Sequence, residues 1–274
     1  MEEKLTTKEM GHPCIRYDVT DSTNIRAEQL ADAGAVHGTL VYAKEQTMGK
    51  GRRGRSWISP PGKAIYMSLL LRPQIHPENA SMLTLIMGLA AAKACNTVLQ
   101  RKLGDDALRV LLKWPNDLVL NGKKIAGILT EMKVDAARIR HVIIGMGMNV
   151  NTQSFPQELS AAGSLAREAG IYLQQKPGIS FEKDELAALC LEYFEKYYEI
   201  FMQTEDLETL RTEYEEILIN IGKVVQILEP GGCKYQGKAR GINSRGELLV
   251  EKADGEITAI YAGEVSVRGV YGYV

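Results

Sequence analysis

The sequence lacks the paired cysteines and histidines of metal sites. Its four cysteines, at positions 14, 95, 190 and 233, form no CxxC pair, and its four histidines form no HExxH motif. These absences argue against a structural zinc site and against a zinc hydrolase. Reduced and mostly buried thiols are therefore expected.

Features of an exported or membrane-bound protein are also missing. The first twelve residues are polar and acidic, without the basic stretch and apolar core of a secretory signal. The most apolar stretch, residues 82–99, contains Lys93 and several polar side chains, which predicts a core helix rather than a membrane span. We therefore expect a cytoplasmic protein without membrane association.

The chain has no excess of charge of one sign and few aromatic residues. Its 33 basic and 34 acidic residues nearly cancel, and aromatic residues make up 7% of the sequence. This composition argues against a nucleic-acid-binding module, although small β-barrels can bind strands. Because 45% of the 274 residues are hydrophobic, the chain can bury a core without disulfides or metal ions.

Apolar spacing and turn signals predict an α+β fold with two domains. Strands are predicted at 15–19, 39–45, 64–71, 109–114, 118–120, 124–131 and 140–150, and helices at about 23–33, 82–99, 181–203 and 206–217. Asn121-Gly122 is the strongest hairpin signal, and the next connection is too short for a crossover helix. We expect a largely antiparallel sheet with helices over residues 1–220 and a small β-barrel over residues 221–274.

One segment concentrates glycine and basic residues. Positions 49–55 read GKGRRGR, in which backbone amides and guanidinium groups suit the oxygens of a phosphate. It is not a dinucleotide-binding motif, because Pro60 and Pro61 leave no room for the required helix, and no Walker loop occurs. On this segment alone, a solvated basic loop or a nucleic-acid patch remains open.

Two further segments have unusual compositions. Lys113 ends an apolar strand in the pentapeptide KWPND, where Pro115 favours an extended exit and the lysine can point into a cleft. An exposed charge is the alternative. In GMGMN, at 145–149, two glycines let a flat ligand approach the strand, and a bulge or tight packing is the alternative.

The sequence resembles biotin–protein ligases in five ordered segments: DSTN at 21–24, EQTMGKGRRGRSW at 45–57, KWPND at 113–117, KKIAGIL at 123–129 and GMGMNVN at 145–151. GEVSVR at 263–268 is similar to the end of the family's C-terminal SH3-like barrel, so the resemblance covers essentially the whole chain. It implies a catalytic domain related to class II aminoacyl-tRNA synthetases. It also implies that biotin is activated with ATP to biotinyl-5′-AMP and transferred to a lysine of a biotin carboxyl carrier domain.

The resemblance also implies a role for each matched residue. Biotin binding is expected at Ser22, Thr23, Asn24, Gln46, Lys50, Gly51, Arg52, Lys113, Gly127 and Gly147. ATP or adenylate binding is expected at Arg53, Arg55, Trp57, Asn116, Lys124, Asn149 and Arg268. Arg52 and Lys113 are the expected catalytic residues, because cations stabilise a carboxylate that attacks a phosphate. Helix capping by residues 22–24 and a core position for Trp57 are the alternatives.

Two departures from the family pattern have consequences. Lys50 stands where the family usually has arginine, and a point charge in place of a planar fork predicts weaker retention of the adenylate. Only about twenty residues precede DSTN, too few for the DNA-binding domain of some members, so a ligase without DNA binding is expected. Mg²⁺ is expected with ATP, but no carboxylate cluster identifies its ligands.

Some questions stay open at the level of sequence. A lipoate–protein ligase shares the fold and the chemistry but resembles the chain less at GKGRRGR and KWPND. An inactive interaction protein is disfavoured by the joint presence of Gln46, Arg52 and Lys113. The carrier protein, the base of the transfer step and the oligomeric state are undecided, and a homodimer is left open.

Overall fold

A computed structural model describes residues 1–104, 107–136, 138–174, 179–228 and 234–261, together with the backbone of 266–269. Three of the features singled out in the sequence lie wholly or partly outside the described residues. They are Cys233, the first part of the GEVSVR segment, and the side chain of Arg268.

The larger sheet has seven strands: β1 (Cys14–Thr20), β2 (Leu40–Gln46), β3 (Ala64–Leu71), β4 (Leu111–Lys113), β5 (Asp117–Leu120), β6 (Lys123–Asp135) and β7 (Arg138–Asn149). Their order across the sheet is β1-β2-β3-β7-β6-β5-β4. β1 and β2 are parallel, and the other neighbouring pairs are antiparallel. The predicted mixed, largely antiparallel sheet is therefore confirmed.

The turn between β5 and β6 has the geometry that its sequence predicts. Asn121 and Gly122 both have positive φ, at 50° and 71°. A two-residue type I′ turn requires positive φ at both positions, which explains the preference for Asn-Gly. Beyond the turn, Gly127 of β6 lies opposite Asp117 of β5 on one side and opposite Gly147 of β7 on the other.

The described residues contain five α-helices: α1 (Thr23–Asp32), α2 (Met82–Leu103), α3 (Leu165–Tyr172), α4 (Lys183–Thr204) and α5 (Glu208–Glu216). Successive strand residues face opposite sides of the sheet. Val41, Leu70 and Ile143 pack with α1, whereas Leu40 and Leu69 belong to the main core with α2 and α4. The sheet is thus buried on both faces.

The helical stretch Pro77–Leu103 is the one described segment long and apolar enough to cross a membrane, by length and composition. It packs instead against α4 and β6, and 72% of its apolar part is buried inside the protein. Gly104, at φ 77°, ends the helix in the left-handed conformation that favours glycine. The prediction of a core helix is confirmed, with one more turn than expected.

The C-terminal part forms a second, antiparallel sheet. Its strands are β8 (Val224–Leu228), β9 (Lys234–Ile242), β10 (Leu248–Glu251), β11 (Ile257–Ile260) and β12 (Ser266–Gly269), in the order β11-β10-β9-β8-β12. Val225, Ile242 and Leu248 are buried in the same core as α2 and α4. The predicted small β-domain is confirmed, and the domain boundary at 220/221 stays a prediction.

Candidate active site

A cavity of about 750 Å³ gathers the segments that the sequence singles out. Its wall includes the start of α1, the basic loop, the KWPND segment, β6 and β7. The predicted residues on the wall are Ser22, Thr23, Asn24, Gln46, Lys50, Gly51, Arg52, Arg53, Arg55, Trp57, Lys113, Asn116, Lys124, Gly127, Gly147 and Asn149. For Arg268 the described backbone pairs with Gln226 of β8.

The polar residues at the start of α1 face the sheet. Ser22 is the N-cap residue, but its side chain makes no capping hydrogen bond. Thr23 donates from its backbone N–H and from Oγ1 to Gln46 Oε1, at 2.8 and 3.0 Å. Ser68 Oγ lies 2.7 Å from Thr23 Oγ1 and 2.6 Å from Asn24 Oδ1. Helix capping therefore does not explain these side chains, which form one end of the cavity.

A chain of hydrogen bonds, and a second chain that ends in a long ion pair, connect this end to the basic loop. Gln46 Nε2 donates to Ser59 Oγ, which donates to the carbonyl of Trp57, each at 3.0 Å. Asn24 Nδ2 donates to Glu131 Oε2 at 2.7 Å, and Glu131 Oε1 lies 3.7 Å from Lys50 Nζ. These contacts connect the basic loop to the start of α1.

Ser59, Ser68 and Glu131 also belong to this network and were not predicted from the sequence. Ser68 is fully buried in the strand AIYMSLLL. A lone hydroxyl in an apolar run was the only signal, because a buried polar group needs a partner. No signal distinguished Ser59 or Glu131 from ordinary surface residues.

The basic loop is a narrow hairpin whose tip faces solvent. Lys50 and Ser56 form a bridge, and Gly51 N–H donates to the Arg55 carbonyl at 2.7 Å. Arg53 and Arg55 are exposed at the tip. The loop is not followed by a helix, in agreement with the rejection of a dinucleotide-binding motif.

Arg52 turns inward from this loop. Its Nη1 donates to Asn116 Oδ1 at 3.0 Å. Burial, and then the neighbouring Arg53, lower the pKa of Arg52, while Asp117 opposes the shift. A cation in such surroundings is stabilised when an anion enters the cavity.

The KWPND segment places a second cation in the wall. Lys113 is only 7% exposed, so the alternative of an exposed charge is wrong. Asn116 Nδ2 donates to the Ile128 carbonyl at 2.8 Å. Lys124 Nζ pairs with Asp117 at 2.5 Å and lies 5.5 Å from the centre of the Trp57 ring. Cations from three segments thus meet around one cavity.

The glycines of β6 and β7 admit side chains of the protein itself. A Cβ at position 147 would collide with the indole of Trp57, and one at 127 would stand 3.2 Å from the same ring. A Cβ at 145 would collide with the amide of Asn24. Tight packing, the alternative for GMGMN, is therefore what the described residues show. Trp57 lies in the cavity wall, is only partly buried and also packs against Ala43, Ala64 and Tyr66.

The segment 152–162 closes the remaining side of the cavity and was not foreseen. Its lining residues are Thr152, Ser154, Phe155, Pro156, Glu158, Leu159, Ser160, Ala161 and Ala162. Asn149 Nδ2 donates to the Gly163 carbonyl at 3.1 Å, and Lys124 N–H donates to the Ala161 carbonyl at 2.8 Å. Asn149 and Lys124 therefore hold this wall in place.

A protein-built metal centre is not found in the described part of the chain. No group of three or more His, Cys, Asp or Glu side chains there could hold a metal ion.

Two family models match the sequence. The Biotin/lipoate A/B protein ligase family matches residues 17–149, and the Biotin protein ligase C terminal domain matches residues 221–268. The bifunctional ligase/repressor BirA of Bacillus subtilis is 38% identical over 96% of this chain and 76% of its own length. The biotin–[acetyl-CoA-carboxylase] ligase of Paracoccus denitrificans is 30% identical over 91% of this chain and 98% of its own.

Solved structures agree with these relatives. The biotin protein ligase from Aquifex aeolicus, in complex with biotin and ATP, superposes with a TM-score of 0.76 at 28% identity. The match covers 93% of this chain and 98% of the other. The biotin protein ligase from Leishmania major, in complex with biotinyl-5-AMP, gives a TM-score of 0.60 at 28% identity, over 91% and 98% of the two chains. In sequence and in fold, this chain is a member of the biotin protein ligase family.

Proposed function

We propose that this chain activates biotin with ATP and transfers it, through biotinyl-5′-AMP, to a lysine of a biotin carboxyl carrier domain. The observation that carries the proposal is that one cavity is lined both by buried hydroxyl and amide groups and by Arg52 and Lys113. The Aquifex aeolicus relative binds biotin and ATP, and the Paracoccus denitrificans relative is a ligase for acetyl-CoA carboxylase.

The polar end of the cavity suits the ureido ring of biotin. This ring presents one carbonyl acceptor and two N–H donors, which hydroxyl and amide groups can satisfy. We assign its binding to Ser22, Thr23, Asn24 and Gln46. The Gln46 amide is fixed in one orientation, since Oε1 accepts from Thr23 and Nε2 donates to Ser59. Lipoate has no ureido group and could not form hydrogen bonds with these polar groups through its ring.

In the first step, a biotin carboxylate oxygen attacks the α-phosphorus of ATP. An O–P bond forms, the bond to the bridging oxygen breaks, and pyrophosphate leaves with its electron pair. Two anions approach each other in this step, so cations placed between them stabilise the transition state. We assign this role to Arg52 and Lys113. Removal of either should cost about 3 kcal/mol.

The nucleotide is assigned to the opposite end of the cavity. Trp57 offers an aromatic face, and Lys124, Arg53 and Arg55 offer positive charge. Asn116, Asn149 and Arg268 remain nucleotide-side assignments from the sequence, with Lys50, Gly51 and Gly127 on the biotin side. Gly147 was assigned to biotin from the sequence, but because it lies against the indole of Trp57 we assign it to the nucleotide end. Mg²⁺ is expected with the phosphates of ATP, whose charge it would neutralise, and we assign it no protein ligand.

In the second step, the carrier lysine amine attacks the carbonyl carbon of the mixed anhydride. A C–N bond forms, and AMP leaves as the C–O bond breaks. We assign no base to this step.

Both matching family models describe ligase domains, so the proposal includes no DNA binding, and location in the cytoplasm remains our prediction. Tight, sequence-specific binding of an operator-like DNA duplex at physiological salt would contradict the proposed lack of DNA binding.

The test is exchange of labelled pyrophosphate into ATP, with biotin in one tube and lipoate in another. The wild-type protein should exchange with biotin only, and Lys113→Ala should lose about a hundredfold to a thousandfold in rate. Lys196→Ala is the matched control, because Lys196 is exposed on α4 away from the cavity. Exchange with lipoate only, or with neither acid, would overturn the proposal.

A further inference from the structure

Lys113 lies at the end of β4, a strand that is hydrogen-bonded to a segment from the C-terminal part of the chain. β4 pairs with β5 along one edge. Along the other edge, Leu112 N–H donates to the Ile217 carbonyl at 2.8 Å, and Ile219 N–H donates to the Leu112 carbonyl at 2.9 Å. The segment that leads from α5 to β8 therefore completes the sheet beside Lys113.

The next residue, Trp114, is bound twice by the same part of the chain. Its backbone N–H donates to Asn220 Oδ1 at 2.8 Å, and its indole Nε1 donates to the Gly246 carbonyl at 3.0 Å. Trp114 is 1% exposed and Asn220 is 4% exposed. Water cannot readily replace either bond, so each is costly to lose.

The turn that presents the Gly246 carbonyl is held by hydrogen bonds within the turn. Asn243 Oδ1 accepts from the backbone N–H groups of Arg245 and Glu247, each at 3.0 Å. Gly246 N–H donates to the Asn243 carbonyl at 2.9 Å. Gly246 has φ +73°, and a Cβ there would stand 2.9 Å from Leu85. Position 246 thus gives Trp114 a fixed acceptor.

We infer that Asn220 is a positioning residue for the adenylation step, a role that rests on the proposed function. It does not line the cavity. By accepting the Trp114 N–H, it fixes the backbone between Lys113 and Asn116. Lys113 is thereby aimed into the cavity, and Asn116 is placed to accept from Arg52. A displacement of about 1 Å in such groups can cost a hundredfold in rate.

The test compares Asn220→Leu, which loses the acceptor, with Asn220→Asp, which keeps an oxygen at the same reach. Biotin-dependent pyrophosphate exchange is measured as kcat and as KM for biotin, beside the urea midpoint of unfolding. Asn96→Leu is the matched control, because Asn96 Oδ1 accepts from the Val110 backbone at 2.7 Å in the same way but away from the cavity. Asn220→Ser, whose hydroxyl is too short to reach Trp114, serves if Asn220→Leu does not fold.

Asn220→Leu should lower kcat by about tenfold to a hundredfold with a smaller change in KM, and Asn220→Asp should restore kcat to within about threefold. Asn96→Leu should lose stability without losing kcat. In a Lys113→Ala background, the effect of Asn220→Leu should be smaller than in the wild type, because the part of it that acts through Lys113 is already lost. An unchanged kcat in Asn220→Leu, or an equal loss in Asn96→Leu, would overturn the inference. Absence of exchange in the wild type would instead overturn the proposed function.

Discussion

The indole of Trp57 lies against the backbone of Gly147 so closely that no side chain fits between them. Two positions earlier on the same strand, the backbone of Gly145 is approached in the same way by the amide of Asn24. Residues two apart in a strand face the same side of a sheet. One strand thus presents one glycine to the biotin end of the cavity and another to the nucleotide end.

The two glycines should therefore be separable by kinetics. Gly147→Ala should displace Trp57 and raise KM for ATP about tenfold, since an extra methyl group in a packed site costs about 1–3 kcal/mol. Gly145→Ala should displace Asn24 and raise KM for biotin by a similar factor. Pyrophosphate exchange, with each substrate varied in turn, measures both constants. An equal rise of both constants in both variants would contradict the division of the cavity into two ends.

Most of the fold could be predicted because its elements have strong local patterns. The bounds of β3 match its apolar run, and the turn at Asn121-Gly122 follows from its residues alone. α3 was missed because it is only eight residues long and contains Gly170, which disfavours a helix. It forms because Ser164 accepts from the Arg167 N–H at its start and because Leu165 and Ala166 are fully buried. Such tertiary packing has no local signature.

The residues of the candidate site could be predicted where they belong to segments of unusual composition, such as GKGRRGR and KWPND. Its supporting contacts were not predictable, because Asn24 and Glu131 are 107 positions apart, and Trp114 and Asn220 are 106 positions apart. Spacing along the chain does not show which polar groups face each other across a sheet. The sequence likewise could not show that Asn24 and Trp57 pack against Gly145 and Gly147.

Lys50 should hold the adenylate less firmly than an arginine would. The Lys50–Glu131 pair is long, and both side chains are more than a third exposed, so it contributes little. In Lys50→Arg, the planar guanidinium can form two hydrogen bonds with the carboxylate of Glu131. Release of biotinyl-5′-AMP in a chase experiment should therefore slow about twofold to fivefold. In a Glu131→Gln background, which keeps the acceptor for Asn24, that gain should vanish. A release rate unchanged by Lys50→Arg would refute this explanation.

Ligand should protect the tip of the basic loop from trypsin. Arg53 and Arg55 are exposed, and the hairpin that carries them is narrow. If biotin and ATP draw the loop over the cavity, cleavage there should slow about tenfold at ligand concentrations about ten times Kd. Mass spectrometry of the early fragments measures this rate, with cleavage at the exposed Lys8 as the internal control. Equal rates at the loop with and without ligands would argue against loop closure.

Glu168 should make the stability of the protein depend on pH. Its side chain is 3% exposed, and Oε1 has no hydrogen-bond partner within the described residues. Burial raises the pKa of this carboxyl above its usual value of 4.5, although Arg167, a side-chain hydrogen bond with Asn121 and Lys123 oppose the shift, in that order. Between the usual and the raised pKa, the folded protein holds a proton that the unfolded chain has lost. The free energy of unfolding therefore falls as pH rises through this interval.

Glu168→Gln removes that ionisation. Its urea midpoint should exceed that of the wild type at about pH 8, and the difference should close below about pH 4, where the glutamate is protonated in both states. Glu216→Gln is the control, because Glu216 is exposed on α5 and its replacement should leave the pH profile unchanged. A difference between Glu168→Gln and the wild type that stays constant from acid to neutral pH would mean that the amide acts through packing rather than through loss of charge.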